Sequence, residues 1–120
     1  MFDVQFDAAR NILKLTYSGR VCVEEIHAGI DKLPSLLAGA KPEFRLLTDV
    51  THLTEMDISC TEPIGLAMDV IKKAGVNFVV RVIPSPVQDI GFNILSIFHY
   101  GRSVRMTECT NLEEAETLLR

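Results

Sequence analysis

Phe44-Arg45-Leu46-Leu47-Thr48-Asp49-Val50, continued by Thr51-His52-Leu53-Thr54-Glu55-Met56-Asp57-Ile58-Ser59, is the stretch on which the fold turns. An apolar run that ends in Thr48 and Asp49 reads as a buried strand, Phe44–Val50. A loop through Asp57 and Ser59 then leads into a helical pattern. Such a strand delivers polar groups to the carboxyl edge of a sheet, where α/β proteins place their sites.

Working back toward the start, Phe2, Val4 and Phe6 alternate with Asp3, Gln5 and Asp7, and a second alternating run spans Ile12 to Tyr17. Two strands joined by a short loop make an antiparallel hairpin. Gly19-Arg20 is expected to turn the chain into a helix that begins near Cys22-Val23-Glu24-Glu25. Its buried face is Ile26, Ile30, Leu33 and Leu37, and Pro34 is expected to kink or divide it.

Working forward, Ile64, Ala67, Met68 and Ile71 share one face of a helix that carries Lys72 and Lys73 in its last turn and meets Gly75 at a left-handed cap position. Its start has two readings. Ser59 with Glu62 forms a capping box, or Glu62 is the N-cap and Pro63 the first helical residue. Val76 to Ile83 reads as a strand buried on both faces and interrupted by Arg81. Pro84-Ser85-Pro86 stops it, a helix from about Gln88 to His99 follows, and Ser103 to Cys109 is a fifth strand. Thr110 and Glu113 form a capping box for a last helix burying Leu112, Ala115, Leu118 and Leu119.

The order β, β, α, β, α, β, α, β, α specifies an α/β fold, in one domain over residues 1–120. It has a mixed, mostly parallel sheet of about five strands, an N-terminal β-hairpin and about four helices. The composition agrees with a packed domain: 48% hydrophobic and 23% charged residues are a globular balance. A net charge of -4 argues against a nucleic-acid partner. The apolar runs are too short and interrupted to span a bilayer, and no leader pattern opens the chain, so a cytoplasmic protein is expected. Cys22, Cys60 and Cys109 read as reduced thiols. Cys60, near a helix start, could be activated, although a small buried apolar cysteine is the commoner case.

This order, with Gly19 before an acid-rich helix start, the strand ending at Asp49, and Asp57-Ile58-Ser59 before the second long helix, resembles the STAS family. That family comprises the anti-sigma-factor antagonists and the cytoplasmic domains of sulphate transporters. The resemblance implies a non-enzymatic regulatory or protein-interaction module, with a kinase or anti-sigma-like factor as partner. In the antagonists a serine of an Asp-Ser-Ser-Gly-like motif at this helix start is phosphorylated. Asp57 matches the acid and Ser59 the second serine, which makes Ser59 the phosphoacceptor candidate. Ile58 stands for the first serine and Cys60 for the glycine.

A second reading is a small-ligand or anion-binding protein, or a minor enzyme, with a pocket at the carboxyl edge of the sheet. Its binding candidates are Asp49, His52, Asp57, Arg81 and Ser85. Each has a plainer explanation beside it: Ser59 as a helix cap, Asp49 as an acceptor for backbone N–H groups of the following loop, Arg81 as half of an ion pair. No catalytic set is complete, and His27, His52 and His99 lack metal-ligand spacing, so no cofactor and no metal are expected. On the 88–99 helix, Phe92 and Leu95 with His99 lie opposite the core-facing Ile90, Ile94, Ile97 and Phe98. That second apolar stripe is expected to form a homodimer or partner interface.

Overall fold

Alternating burial at the start of the chain gives the hairpin its register: β1 (Phe2–Asp7) pairs antiparallel with β2 (Ile12–Val21), Val4 opposite Leu15. In the computed structural model, which describes residues 1–83, 100–101 and 104–120, the further elements are α1 (Val23–Leu37), β3 (Arg45–Met56), a 3-10 turn (Ile58–Cys60), α2 (Thr61–Ala74), β4 (Phe78–Val82), β5 (Arg105–Cys109) and α3 (Leu112–Leu118). The five strands lie in one sheet in sequence order, and every pair after the first is parallel. The fold class is the one expected. Three α-helices stand among the described residues; the segment expected to form a helix at 88–99 lies outside them, with Phe92, Leu95 and His99.

Strand parity sends side chains to two apolar layers. Leu13, Leu15, Tyr17, Leu46, Val50 and Val79 pack with Ile26 and Leu33 of α1 and Ile64, Met68 and Ile71 of α2. Ile12, Leu47, Val80, Val82 and Cys109 face the other side, where Ala115 and Leu119 close over them. Gly29 lets α1 approach β1: a Cβ there would lie 2.3 Å from a ring carbon of Phe2.

Several boundaries differ from expectation, for physical reasons. β2 does not turn at Gly19-Arg20 but runs on to Val21, because β3 continues beside it. Gly19 takes φ +59 within the strand, a conformation that glycine adopts without steric cost. β3 runs to Met56 rather than ending at Val50, so Thr51 and His52 belong to the strand. Pro34 leaves α1 undivided. It is exposed, it costs the one bond to Ile30, and its own carbonyl accepts the Ala38 N–H at 3.0 Å.

Neither reading of the α2 start holds. Asp57 caps the 3-10 turn by accepting the Ser59 N–H at 2.8 Å, and α2 begins at Thr61. Pro63 sits harmlessly in the first turn, where backbone N–H groups have no helical partner. The end of α2 is as expected: Gly75 has φ 105 and its N–H donates to the Lys72 carbonyl at 3.0 Å. The last helix is capped one residue later than expected, by Asn111, whose side chain accepts the Glu114 N–H at 2.9 Å. Leu112 and Leu118, expected to be buried, are exposed, and Ala115 and Leu119 are its buried contacts.

Candidate functional site

At the carboxyl end of the sheet the strands do not stop together. β2 and β3 pair through Val21 and Met56, whereas β4 has its last partner at Asp49. The overhang contains two register slips. Thr16 pairs with Asp49 but Ser18 with His52, and Gly19 pairs with Leu53 but Arg20 with Glu55, so β3 carries one extra residue each time. Bulges of this kind bend a strand and sharpen its twist.

Asp49 fastens the first bulge. Its Oδ1 accepts the Thr51 N–H at 2.9 Å and the Thr51 hydroxyl at 2.5 Å, and the side chain is buried. The aspartate thus does accept a following N–H, within a bulged strand rather than a loop.

Beyond the second bulge, Asp57 turns the chain. Its Oδ1 accepts from Ser59 N and its carbonyl from Cys60 N at 3.0 Å. The Ser59 hydroxyl, more than the Ser59 N–H, holds the Asp57 carboxyl below the usual carboxylate range. Cys60 is fully buried and anchors the turn, with Sγ 3.9 Å from the Val21 carbonyl. Ile58 and Ser59 are left outside; Ile58 is 87% exposed. Beside them a shallow concavity of about 280 Å³ is bordered by Arg20, Cys22, Glu24, Glu55, Asp57 and Ser59. Arg20 Nε lies 3.8 Å from Glu55 Oε2, with both groups well exposed.

Neither thiol here is activated. Burial, followed by the charge of Asp57, pushes the Cys60 thiol up. At exposed Cys22 a backbone hydrogen bond at Glu25 favours the thiolate, but the Glu25 carboxylate, which accepts the thiol at 3.3 Å, together with burial and Glu24 outweighs it, and the net shift is upward. Neither thiol is therefore poised as a thiolate.

The five binding candidates divide. Asp57 stands at the edge beside Ser59, the phosphoacceptor candidate. Asp49 and Arg81 do not converge, because Arg81 pairs in register with Thr48 while Asp49 pairs with Val82, and adjacent rows point to opposite faces. Asp49 faces the side of Cys109, and Arg81 the side of α2. There Arg81 is buried beside Thr48, Tyr17 and Tyr100 around a cavity of about 20 Å³, room for one water. Its Nη2 lies 3.4 Å from Glu108 Oε1 across the β4–β5 pair. Burial raises the pKa of both tyrosines. His52 is exposed on β3, and Ser85 lies outside the described residues.

Sequence reasoning missed Arg20, Glu55 and the exposure of Ile58. Arg20 was hidden because Ser18-Gly19-Arg20 breaks the apolar alternation of β2, and the signal that could have recovered it is Val21, which resumes burial after the break. Among the described residues no group of three His, Cys, Asp or Glu side chains is placed to hold a metal, and no helix is long and apolar enough to cross a membrane.

No family model and no curated relative matches the chain. Solved structures do. An uncharacterised protein of the DUF3478 family from Shewanella loihica, with a SpoIIAA-like fold, superposes with TM-score 0.73 at 17% identity, over 100% of this chain and 93% of that one. The Bacillus cell fate determinant SpoIIAA in its phosphorylated form gives 0.64 at 17% identity, over 98% and 99%. An anti-sigma factor antagonist from Mycobacterium paratuberculosis gives 0.60 at 15% identity, over 100% and 93%. The chain has the SpoIIAA-like fold, the one its resemblance to the STAS family implies.

Proposed function

We propose that the protein is a non-enzymatic regulatory module that binds a protein partner through the edge formed by Ile58, Ser59 and the acids around them, and that phosphorylation of Ser59 switches this binding. The observation that carries the reading is the presentation of Ile58 and Ser59, fully outside, on a turn pinned by Asp57 and anchored by buried Cys60. A structure of SpoIIAA exists in a phosphorylated and an unphosphorylated form, which supports modification as the means of control on this fold.

Electrostatics sets the sense of the switch. Glu24, Glu55 and Asp57 border the concavity, and Arg20 is the one cation among its lining residues. A phosphate on Ser59 adds about -1.5 to -2 charges to this negative rim and competes with Glu55 for Arg20. Modification therefore tightens the hold on a partner with a basic rim and an apolar pocket for Ile58. The same acids oppose an anionic ligand at this edge, so the protein-contact reading is preferred over the ligand reading.

Mass spectrometry of the protein purified from its native host tests the switch: phosphate is expected on Ser59, and its absence under all growth conditions would remove the switch. Affinity capture tests the surface. A partner held by the wild type is expected to be lost with Ile58→Asp, kept with Ser59→Ala and held more tightly with Ser59→Glu; equal capture by all four proteins would show that the partner binds elsewhere.

A further inference from the structure

On the opposite face of the sheet, α3 packs on β4 and β5 and leaves the hairpin side open. Between them lies a groove of about 250 Å³, separate from the carboxyl edge. This is below the roughly 300 Å³ at which drug-sized sites begin, so the groove has room for a small metabolite. Ile12, Leu47 and Leu119 make its floor, all buried.

Four charged groups line the groove, and two neutralise each other: Arg10 Nη2 lies 2.7 Å from Glu116 Oε2. Asp7 and Lys14 remain. Asp7 uses Oδ1 to accept the Arg10 N–H at 3.2 Å. Lys14 makes no side-chain hydrogen bond or ion pair among the described residues, and its cross-strand partner is Gln5, which also lines the groove. Asp7 pairs with Ile12, so it stands diagonal to Lys14, with about 7–8 Å between their backbone positions. The groove thus presents one cation and one anion above an apolar floor.

We propose that this groove binds a small zwitterion, an α-amino acid with a branched aliphatic side chain. The carboxylate meets Lys14 and the Gln5 amide, the ammonium meets Asp7, and the aliphatic chain covers Ile12, Leu47 and Leu119. A ligand with a single charge leaves one of the two protein charges without a contact, which is the basis of selection.

The test is a backbone-amide NMR titration of the whole chain with L-leucine, isocaproate, which lacks the ammonium, and isoamylamine, which lacks the carboxylate. Leucine is expected to give saturable shifts at Lys14, Leu47 and Leu119, with each analogue about fivefold weaker, the scale of one solvent-accessible charge contact. Lys14→Met is expected to equalise leucine and isoamylamine, and Asp7→Asn to equalise leucine and isocaproate, without change in thermal midpoint. Absence of saturable shifts at these residues, equal binding of the three compounds, or an unchanged preference in a folded variant would overturn the proposal.

Discussion

Replacing Asp49 by alanine isolates the first β3 bulge from everything else in the sheet. The carboxylate accepts two bonds from Thr51, at 2.9 Å from the N–H and 2.5 Å from the hydroxyl. Hydrogen bonds to a charged group contribute about 1.5–3 kcal/mol each. Thr51 is only half-buried, so water recovers part of the loss and the lower end applies, about 2–4 kcal/mol in all. A domain of this size is stable by about 5–15 kcal/mol, so the variant still folds, with a midpoint lowered by roughly 8–16 °C. Asp49→Asn keeps an acceptor of the same shape and loses only charge assistance, about 1 kcal/mol. Urea denaturation followed by circular dichroism and by tyrosine fluorescence measures both. Asp49→Ala within about 0.5 kcal/mol of wild type would refute the bulge-locking role, as would an asparagine variant that is equally damaged.

Other outcomes follow from the same structure. Both tyrosines are buried with raised pKa values, so the native protein shows no tyrosinate absorbance as pH passes about 10. Protons held only by the folded state make stability fall as pH rises above that value, and ionisation should coincide with alkaline unfolding; a separate, earlier tyrosinate step would contradict the burial of Tyr17 and Tyr100. Asp57 and Glu25 are both held below the usual carboxylate range, Asp57 first by the Ser59 hydroxyl and Glu25 first by the Cys22 N–H. Their contribution is complete above the ordinary carboxylate pKa and is lost as pH falls through the lower folded values, so thermal midpoints of Asp57→Asn and Glu25→Gln should approach wild type only in strong acid. From the sequence alone, light scattering of wild type beside a Phe92→Glu, Leu95→Glu variant tests the apolar stripe expected at 88–99: an oligomer in the first and a monomer in the second is expected, and the same mass in both excludes that surface.

The fold was legible where burial alternates or repeats without interruption. Phe2, Val4 and Phe6 give the hairpin, Ile64 to Ile71 give α2, and Gly75 marks its end. What stayed hidden depends on pairing between distant segments. Ser18 to Val21 contains no pattern of its own and is strand because Ser18 N–H donates to the Met1 carbonyl at 2.8 Å and β3 runs alongside. Thr51 to Glu55 is polar and bulged, so it reads as loop. At the site, the nearness of Asp57 and Ser59 follows from two residues of separation. The opposite facing of Asp49 and Arg81 depends on the β3–β4 register, and a shift of one residue would have put both on one side.

The turn at the edge also weakens the plain explanation of Ser59. A serine before a helix ordinarily accepts a backbone N–H and thereby stabilises the start. Here Asp57 accepts that bond, from Ser59 itself, and no side chain caps Thr61–Ala74 at its first residue. The Ser59 hydroxyl instead lies beside the Asp57 carboxylate, which it helps to hold in its charged form, and Ser59 stays exposed. Ile58 is equally unexplained by folding, since an isoleucine so exposed forgoes about 1.5–3 kcal/mol of burial that an inward rotation of the turn would recover. Single exposed apolar residues are ordinary on protein surfaces. This one, however, is held out by the same two hydrogen bonds that fix Ser59 beside it, while the next residue, Cys60, takes the inward position. The geometry that exposes the apolar side chain is therefore the geometry that exposes the hydroxyl, so a partner seated on Ile58 would meet any charge placed on Ser59.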